Sequence, residues 1–129
     1  MKKLFFNILA LICFTVPSFA QEGGKQIEAV KVEYFTRKLQ LSPAEAERFW
    51  PVYHNYQREL QQQHKERQAQ RKAGGPVDEL KFETRILEIR KRYRKEFSEV
   101  LPAEKVNLLF QAEREFREQL IKELRSRRQ

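Results

Sequence analysis

Residues 41–53 read LSPAEAERFWPVY and begin with a strong helix-start signal. Ser42 can cap free backbone N–H groups, Pro43 suits the first helical position, and Glu45 can reach back to complete a capping box. Apolar side chains then recur at spacings of three and four, at Ala46, Phe49, Tyr53, Tyr56 and Leu60. This pattern predicts a helix with an apolar seam that faces a core.

A second proline, Pro51, lies about two turns inside this helix. It cannot donate a hydrogen bond to the carbonyl of Glu47, and its ring crowds that turn, so we expect the helix to bend there. Trp50 lies about 100° from Phe49 around the helix axis. We therefore predict that Trp50 lies at the rim of the seam, in a groove or at a dimer contact, whereas Phe49 and Tyr53 belong to the core.

The rest of the chain also favours helices, because spacings of three and four recur from Ile27 to Leu124 and no segment alternates like a strand. We predict an all-α fold of four helices. The first spans about Lys25 to Leu39 after a flexible Gly23-Gly24. Ala73-Gly74-Gly75-Pro76 ends the second, and Asp78 and Pro102 begin the third and fourth. Residues 61–72 are almost wholly polar, so this half of the second helix either projects as a charged helix or frays.

Each remaining helix has an apolar stripe. In the first helix it includes Ile27, Val30, Tyr34 and Phe35. In the third it comprises Leu80, Phe82, Ile86, Ile89, Tyr93, Phe97 and Val100, and the opposite face is predicted to be basic, with Arg85, Arg90, Lys91, Arg92, Arg94 and Lys95. In the fourth it comprises Val106, Leu109, Phe110, Phe116, Leu120 and Leu124, with Ile121 beside it.

Residues 1–20 have the features of a cleaved export signal. Lys2 and Lys3 precede an apolar run, and Ser18-Phe19-Ala20 is a small-x-small cleavage site. We therefore expect a periplasmic mature chain, residues 21–129, that forms a single helical domain and lacks the only cysteine, Cys13. The formal net charge of +8 would fall to +6, because residues 1–20 carry two lysines and no acidic residue.

The sequence contains no pattern typical of an enzyme. Most glutamates have a basic residue one turn away, as Glu88 has Arg92, which favours solvated helix faces over an acid–base site. His54 and His64 are turned roughly 80° apart on one helix, so one metal site cannot easily use both. We predict no catalytic activity, no cofactor and no metal site.

Two proline-led helix starts resemble each other, at residues 41–45 (LSPAE) and 100–104 (VLPAE). With the export signal, the basic cysteine-free helical body and the motif FWPVY at residues 49–53, they make the chain resemble the Spy/CpxP family of periplasmic proteins. The family's Leu-Thr-x-x-Gln-like motif falls on Leu41, Ser42 and Glu45. It falls less well on Leu101 and Glu104, because Pro102 occupies the place of the hydroxyl. The branch with FWPVY is often described as Spy/CpxP-like refolding chaperones, or as sensors associated with extracytoplasmic sigma factors.

The resemblance implies a bent hairpin of four helices, dimerised antiparallel into a thin cradle whose concave face binds unfolded proteins without ATP. We expect an exported chaperone-like protein that protects unfolded or misfolded envelope proteins, acts as a homodimer, binds no nucleic acid and contacts membranes only peripherally. Helical faces suggest the contact residues Trp50, Phe82, Arg85, Ile89, Arg92 and Tyr93.

Three other functions stay open at this point. The main alternative is a stress-signalling regulator that binds a membrane sensor or an anti-sigma factor through the same surface. The others are a metal sensor that uses His54 or His64 across a dimer, and a purely electrostatic contact with acidic lipid or polysaccharide.

Overall fold

The computed structural model describes residues 19–128, and it describes side chains from residue 27 to residue 128. Four α-helices follow one another along the chain: α1 (Phe19–Lys38), α2 (Pro43–Lys72), α3 (Glu79–Val100) and α4 (Ala103–Arg128). No strand occurs in this part of the chain. The predicted all-α fold of four helices is therefore confirmed.

The chain divides into two units, the first ending at Val32 and the second beginning at Glu33. Within the first unit, α1 starts at Phe19 and includes Gly23 and Gly24. The predicted start of this helix at about Lys25, after the two glycines, was therefore wrong, because a glycine in a helix interior costs only about 1 kcal/mol relative to alanine. Ile27 and Val30 are exposed, contrary to the predicted apolar stripe. Most of the predicted export signal, residues 1–18, lies outside the described residues.

The start of α2 has the predicted capping box. The Glu45 backbone N–H donates to Ser42 Oγ at 3.1 Å, and the Ser42 N–H donates to Glu45 Oε1 at 3.1 Å. Pro43 is the first residue of the helix. The helix then continues through Pro51 to Lys72, so the charged half of α2 is helical. The bend at Pro51 stays a prediction.

Helices α2 and α3 pair side by side and antiparallel over most of their lengths. Tyr56 packs against Tyr93, and further along the pair Arg71 of α2 donates to Glu79 of α3. Gly74 adopts a left-handed φ of 76° in the turn, which favours glycine. The Asp78 side chain then accepts from the Lys81 N–H and caps α3. The turn and the N-cap of α3 therefore lie where the sequence predicted them.

The core of the second unit is built largely from aromatic rings. Phe97 of α3 is fully buried and lies within 5.5–6.4 Å, centroid to centroid, of five rings: Phe49, Tyr53, Tyr56, Tyr93 and Phe110. Phe35 of α1 lies against Tyr53 of α2 and Phe116 of α4. These contacts join all four helices of the second unit, because the last turns of α1 also belong to it.

Lys105 connects the two proline-led helix starts. Its Nζ atom donates to Glu45 Oε1 at 2.8 Å and to the Gln40 carbonyl at 2.8 Å. The Lys105 ammonium and the Ser42 N–H hold the pKa of the Glu45 carboxyl below its usual value. In the second copy of the motif, Leu101 is buried in an extended conformation before Pro102, as expected for a residue preceding proline. Glu104 lies exposed in the first turn of α4.

The segment between α1 and α2 contains a left-handed residue, Gln40, whose φ is 47°. The Leu41 N–H donates to the Thr36 carbonyl at 3.1 Å, and the Gln40 N–H donates to the Arg37 carbonyl at 3.2 Å. This is the hydrogen-bond pattern of a Schellman motif, in which glycine usually occupies the left-handed position. Gln40 therefore carries backbone strain that a glycine would not.

Besides Ile27 and Val30, three further residues of the predicted apolar stripes are exposed. Leu80, at the start of α3, is 72% exposed. Ile121 and Leu124, near the end of α4, are also exposed. Each lies on the correct helix face by spacing, but helical periodicity does not tell how far along its length a helix is covered by its neighbours.

Candidate binding surface

One face of α3 brings together five of the six contact residues predicted from the sequence. Phe82, Arg85, Ile89 and Arg92 follow one another at spacings of three and four, and Tyr93 lies beside Arg92. This spacing places the side chains along a single face of a helix. The same face packs against α2, so the surface depends on both helices.

An open groove of about 480 Å³ runs between α2 and α3. We call it the α2–α3 groove, and it is lined by Glu59, Gln62, Gln63, Arg85, Glu88, Ile89 and Arg92. The floor includes Ile89, which is almost fully buried. The walls carry equal numbers of arginines and glutamates, so the groove itself is amphiphilic and formally neutral.

Both arginines of the groove form ion pairs with α2. Arg92 lies 2.8 Å from Glu59, and Arg85 lies 3.2 Å from Glu66. Arg92 thus pairs across the hairpin, whereas the sequence suggested a pair with Glu88 along α3. All four side chains are partly exposed, and ion pairs of this kind typically stabilise a protein by only about 0–1 kcal/mol. The guanidinium groups can therefore exchange partners at small cost in free energy.

The aromatic rings of this face lie beneath the arginines. The Arg85 guanidinium lies 5.8 Å from the Phe82 ring centroid, and that of Arg92 lies 5.4 Å from the Tyr93 ring centroid. Phe82 is 1% exposed and Tyr93 is 7% exposed. As folded, Phe82, Ile89 and Tyr93 pack the interior and offer little area to a partner. The arginines and the upper walls present most of the accessible surface.

Tyr93 is held in its neutral form. Burial, together with a hydrogen bond to Glu59, raises the pKa of Tyr93 to about 12. The neighbouring Tyr56 behaves in the same way, because burial and the charge of Glu113 raise its pKa to about 12. Both tyrosines are therefore uncharged at neutral pH.

Trp50 is not among the residues that line the groove. It is half-buried and packs against Phe49, Tyr53 and His54, with ring centroids 4.9–5.9 Å apart. Phe49 and Tyr53 are fully buried, as their seam positions predict. Pro51 is exposed beside Trp50. The exposed edge of Trp50 therefore lies at the rim of the core, as its helical position predicts.

The α2 wall of the groove was missed from the sequence. Gln62 and Gln63 fall in the polar half of α2, which gives no apolar signal by which to place them. Gln63 Oε1 is buried and has no hydrogen-bond partner within the described residues. The signal that could have located this wall is charge pairing, since antiparallel pairing of α2 with α3 sets Glu59 opposite Arg92 and Glu66 opposite Arg85.

The outer face of α3 is basic and carries two leucines. Lys91, Arg94 and Lys95 are exposed on this face, whereas Arg85 and Arg92, which were also predicted there, line the α2–α3 groove instead. Leu80 and Leu87 are both exposed and lie seven residues apart, which places them on the same side of the helix. Apolar and cationic groups are therefore accessible next to one another on the hairpin.

The described residues contain no group of three or more His, Cys, Asp or Glu side chains arranged to hold a metal ion. His54 and His64 are both exposed. None of the helices in residues 19–128 is both long enough and apolar enough to cross a membrane.

Comparisons with family models, with curated proteins and with solved structures found no match to this chain. The resemblance to the Spy/CpxP family therefore rests on the sequence motifs, and it stays a prediction.

Proposed function

We propose that this chain is an exported, ATP-independent chaperone-like protein that protects unfolded or misfolded envelope proteins. The observation that carries the proposal is the α2–α3 groove, in which Arg85 and Arg92 are held only by weak, exposed ion pairs. Acidic side chains and backbone carbonyls of an unfolded chain can replace Glu66 and Glu59 as acceptors for these guanidinium groups.

Apolar groups on the outer face of α3 support the same function. Leu80 and Leu87 are exposed on α3, and they give an unfolded chain apolar area to cover. Each contact is small, so binding is weak and reversible, which suits a protein that releases its clients without ATP. The basic outer face of α3 attracts acidic segments at longer range.

The experiment measures light scattering during the aggregation of two unrelated, chemically unfolded proteins. The purified chain is added at low and at high salt, without ATP. We expect suppression of both aggregation reactions, reduced but not abolished by salt, because salt screens exposed charges and leaves apolar contacts in place. Failure to suppress either reaction would refute the proposal. Tight, saturable binding of a single envelope protein would instead favour the stress-signalling alternative.

A further inference from the structure

The last three turns of α4 continue an apolar stripe beyond the core. Earlier in the same helix, Val106, Leu109 and Ala112 are buried. From residue 117 onward the side chains are exposed, except for the half-buried Leu120. Ile121 and Leu124 are 43% and 52% exposed. The stripe therefore leaves apolar area accessible to solvent at the end of the helix, and we call residues 117–128 the α4 tip.

Arginines share this face with the apolar side chains. At about 100° per residue, Leu120, Leu124 and Ile121 fall within a sector of roughly 100° around the helix axis. Arg117 and Arg128 fall inside the same sector. Lys122 falls on the opposite side, and Glu118 and Glu123 each lie about 60° beyond an edge of the sector. The apolar face of the α4 tip is therefore cationic rather than neutral.

The tip also has a net positive charge. Its formal charge is +3, because it contains five basic residues, Arg117, Lys122, Arg125, Arg127 and Arg128, and two acidic residues, Glu118 and Glu123. None of these five cationic side chains forms an ion pair within the described part of the chain. They are therefore available to external anions.

Exposed apolar side chains and arginines on one helix face favour a partner whose surface offers both phosphate groups and apolar area. An arginine guanidinium binds phosphate oxygens in a bidentate manner, and apolar side chains on the same helix face can enter the boundary between headgroups and acyl chains. A second copy of the chain would bring its own cationic tip against this one. Anionic lipid instead neutralises the arginines and covers Ile121 and Leu124 at the same time.

We propose that the α4 tip binds the surface of a bilayer that contains anionic phospholipid. The helix lies in the plane of the interface, with Leu120, Ile121 and Leu124 towards the acyl chains and the arginines at the phosphates. This binding site is separate from the α2–α3 groove, and it does not depend on the proposed chaperone function.

The test places a fluorescent reporter at the site, so that the N-terminal apolar run cannot account for the signal. The full chain contains one tryptophan, Trp50. In the variant W50F/L124W, tryptophan emission reports on the α4 tip alone. The matched control is W50F/L87W, which carries the reporter at a similarly exposed leucine of α3. Circular dichroism checks that both variants are helical.

Vesicles of phosphatidylcholine, with and without phosphatidylglycerol, are added to each variant, and brominated lipid serves as a quencher of tryptophan within the acyl boundary. We expect a blue shift and quenching for W50F/L124W with phosphatidylglycerol vesicles, and much smaller changes for W50F/L87W. The added substitutions R125Q, R127Q and R128Q should weaken the response about tenfold or more, because each cation near an anionic surface contributes on the order of 1 kcal/mol.

Three results would overturn the proposal. The first is no blue shift with anionic vesicles. The second is an equal response with pure phosphatidylcholine, which would show that charge plays no part. The third is the same blue shift in concentrated protein without lipid, which would assign the α4 tip to contact with a second copy of the chain.

Discussion

Phe97 offers the sharpest test of how α2, α3 and α4 are joined. Its ring is fully buried and contacts rings from α2, α3 and α4. Replacing a buried phenylalanine by alanine costs about 3–5 kcal/mol of folding free energy. Phe97 loses several aromatic contacts at once, and such pairs contribute beyond their buried area, so we expect F97A to fall in the upper half of that range, at about 4–5 kcal/mol.

This loss is large compared with the total stability of a small domain, about 5–15 kcal/mol. Urea unfolding followed by far-UV circular dichroism measures it directly. With a denaturant dependence of about 2 kcal/mol per molar, the midpoint should fall by about 2 M. Fluorescence of Trp50 provides a second probe, because Trp50 packs on Phe49, which contacts Phe97.

Two further variants calibrate the result. F97L keeps most of the volume and should cost about 1–1.5 kcal/mol. L87A removes an exposed side chain and should change stability by less than about 0.5 kcal/mol. If F97A lowered stability by less than about 1 kcal/mol, or no more than L87A does, the core described around Phe97 would be wrong.

Three other predictions follow from local contacts. Q40G should raise the free energy of unfolding by about 0.5–1 kcal/mol in urea titrations, because glycine adopts the left-handed φ of this position without strain; a loss of stability would contradict that account. K105M should raise the pKa of Glu45 towards its usual value, measured by NMR titration of the carboxyl carbon, since the Lys105 ammonium is the largest cause of its lowering. A carboxyl whose pKa is lowered by folding stabilises the protein at pH values above its unfolded pKa, and this stabilisation is lost as pH falls below about 4.5. K105M should therefore weaken the dependence of stability on pH in this acid range. An unchanged dependence would contradict the role of Lys105 in lowering the pKa of Glu45. In alkaline solution, absorbance at 295 nm should show Tyr56 and Tyr93 ionising near pH 12 in the folded chain, and the stability they contribute below pH 10 should be lost as pH rises towards 12; titration of all four tyrosines near pH 10 would contradict their burial.

Local signals in the sequence were sufficient to locate α2, α3 and α4 and the N-caps of α2 and α3. Ser42, Pro43 and Glu45 define the start of α2, because a capping box depends only on residues three positions apart. Gly74 and Asp78 likewise define the turn before α3, because a left-handed glycine and an N-cap residue also act on the backbone nearby. The start of α1 was misplaced because Gly23 and Gly24 have a weak preference against helix, and this preference does not by itself end one.

The candidate site was only partly predictable. The face that carries Arg85, Ile89 and Arg92 follows from helical spacing, and the structure places all three in one groove. The burial of Phe82 beneath Arg85 depends on how α2 lies against α3, which no spacing along α3 encodes. Gln63 lies in the polar half of α2 and belongs to no apolar stripe, so only the packing of α2 against α3 reveals that it lines the groove.

The most direct test of the central claim compares two double variants with equal loss of charge. R85Q/R92Q removes both arginines of the α2–α3 groove, whereas R94Q/K95Q removes two exposed cations of α3 that do not line it. Both are assayed by light scattering for suppression of aggregation of the same two unfolded proteins, after circular dichroism has shown equal helix content. The account predicts that R85Q/R92Q loses most of the suppression and that R94Q/K95Q retains most of it. Equal activity of the two variants would contradict the claim that the groove binds unfolded chains.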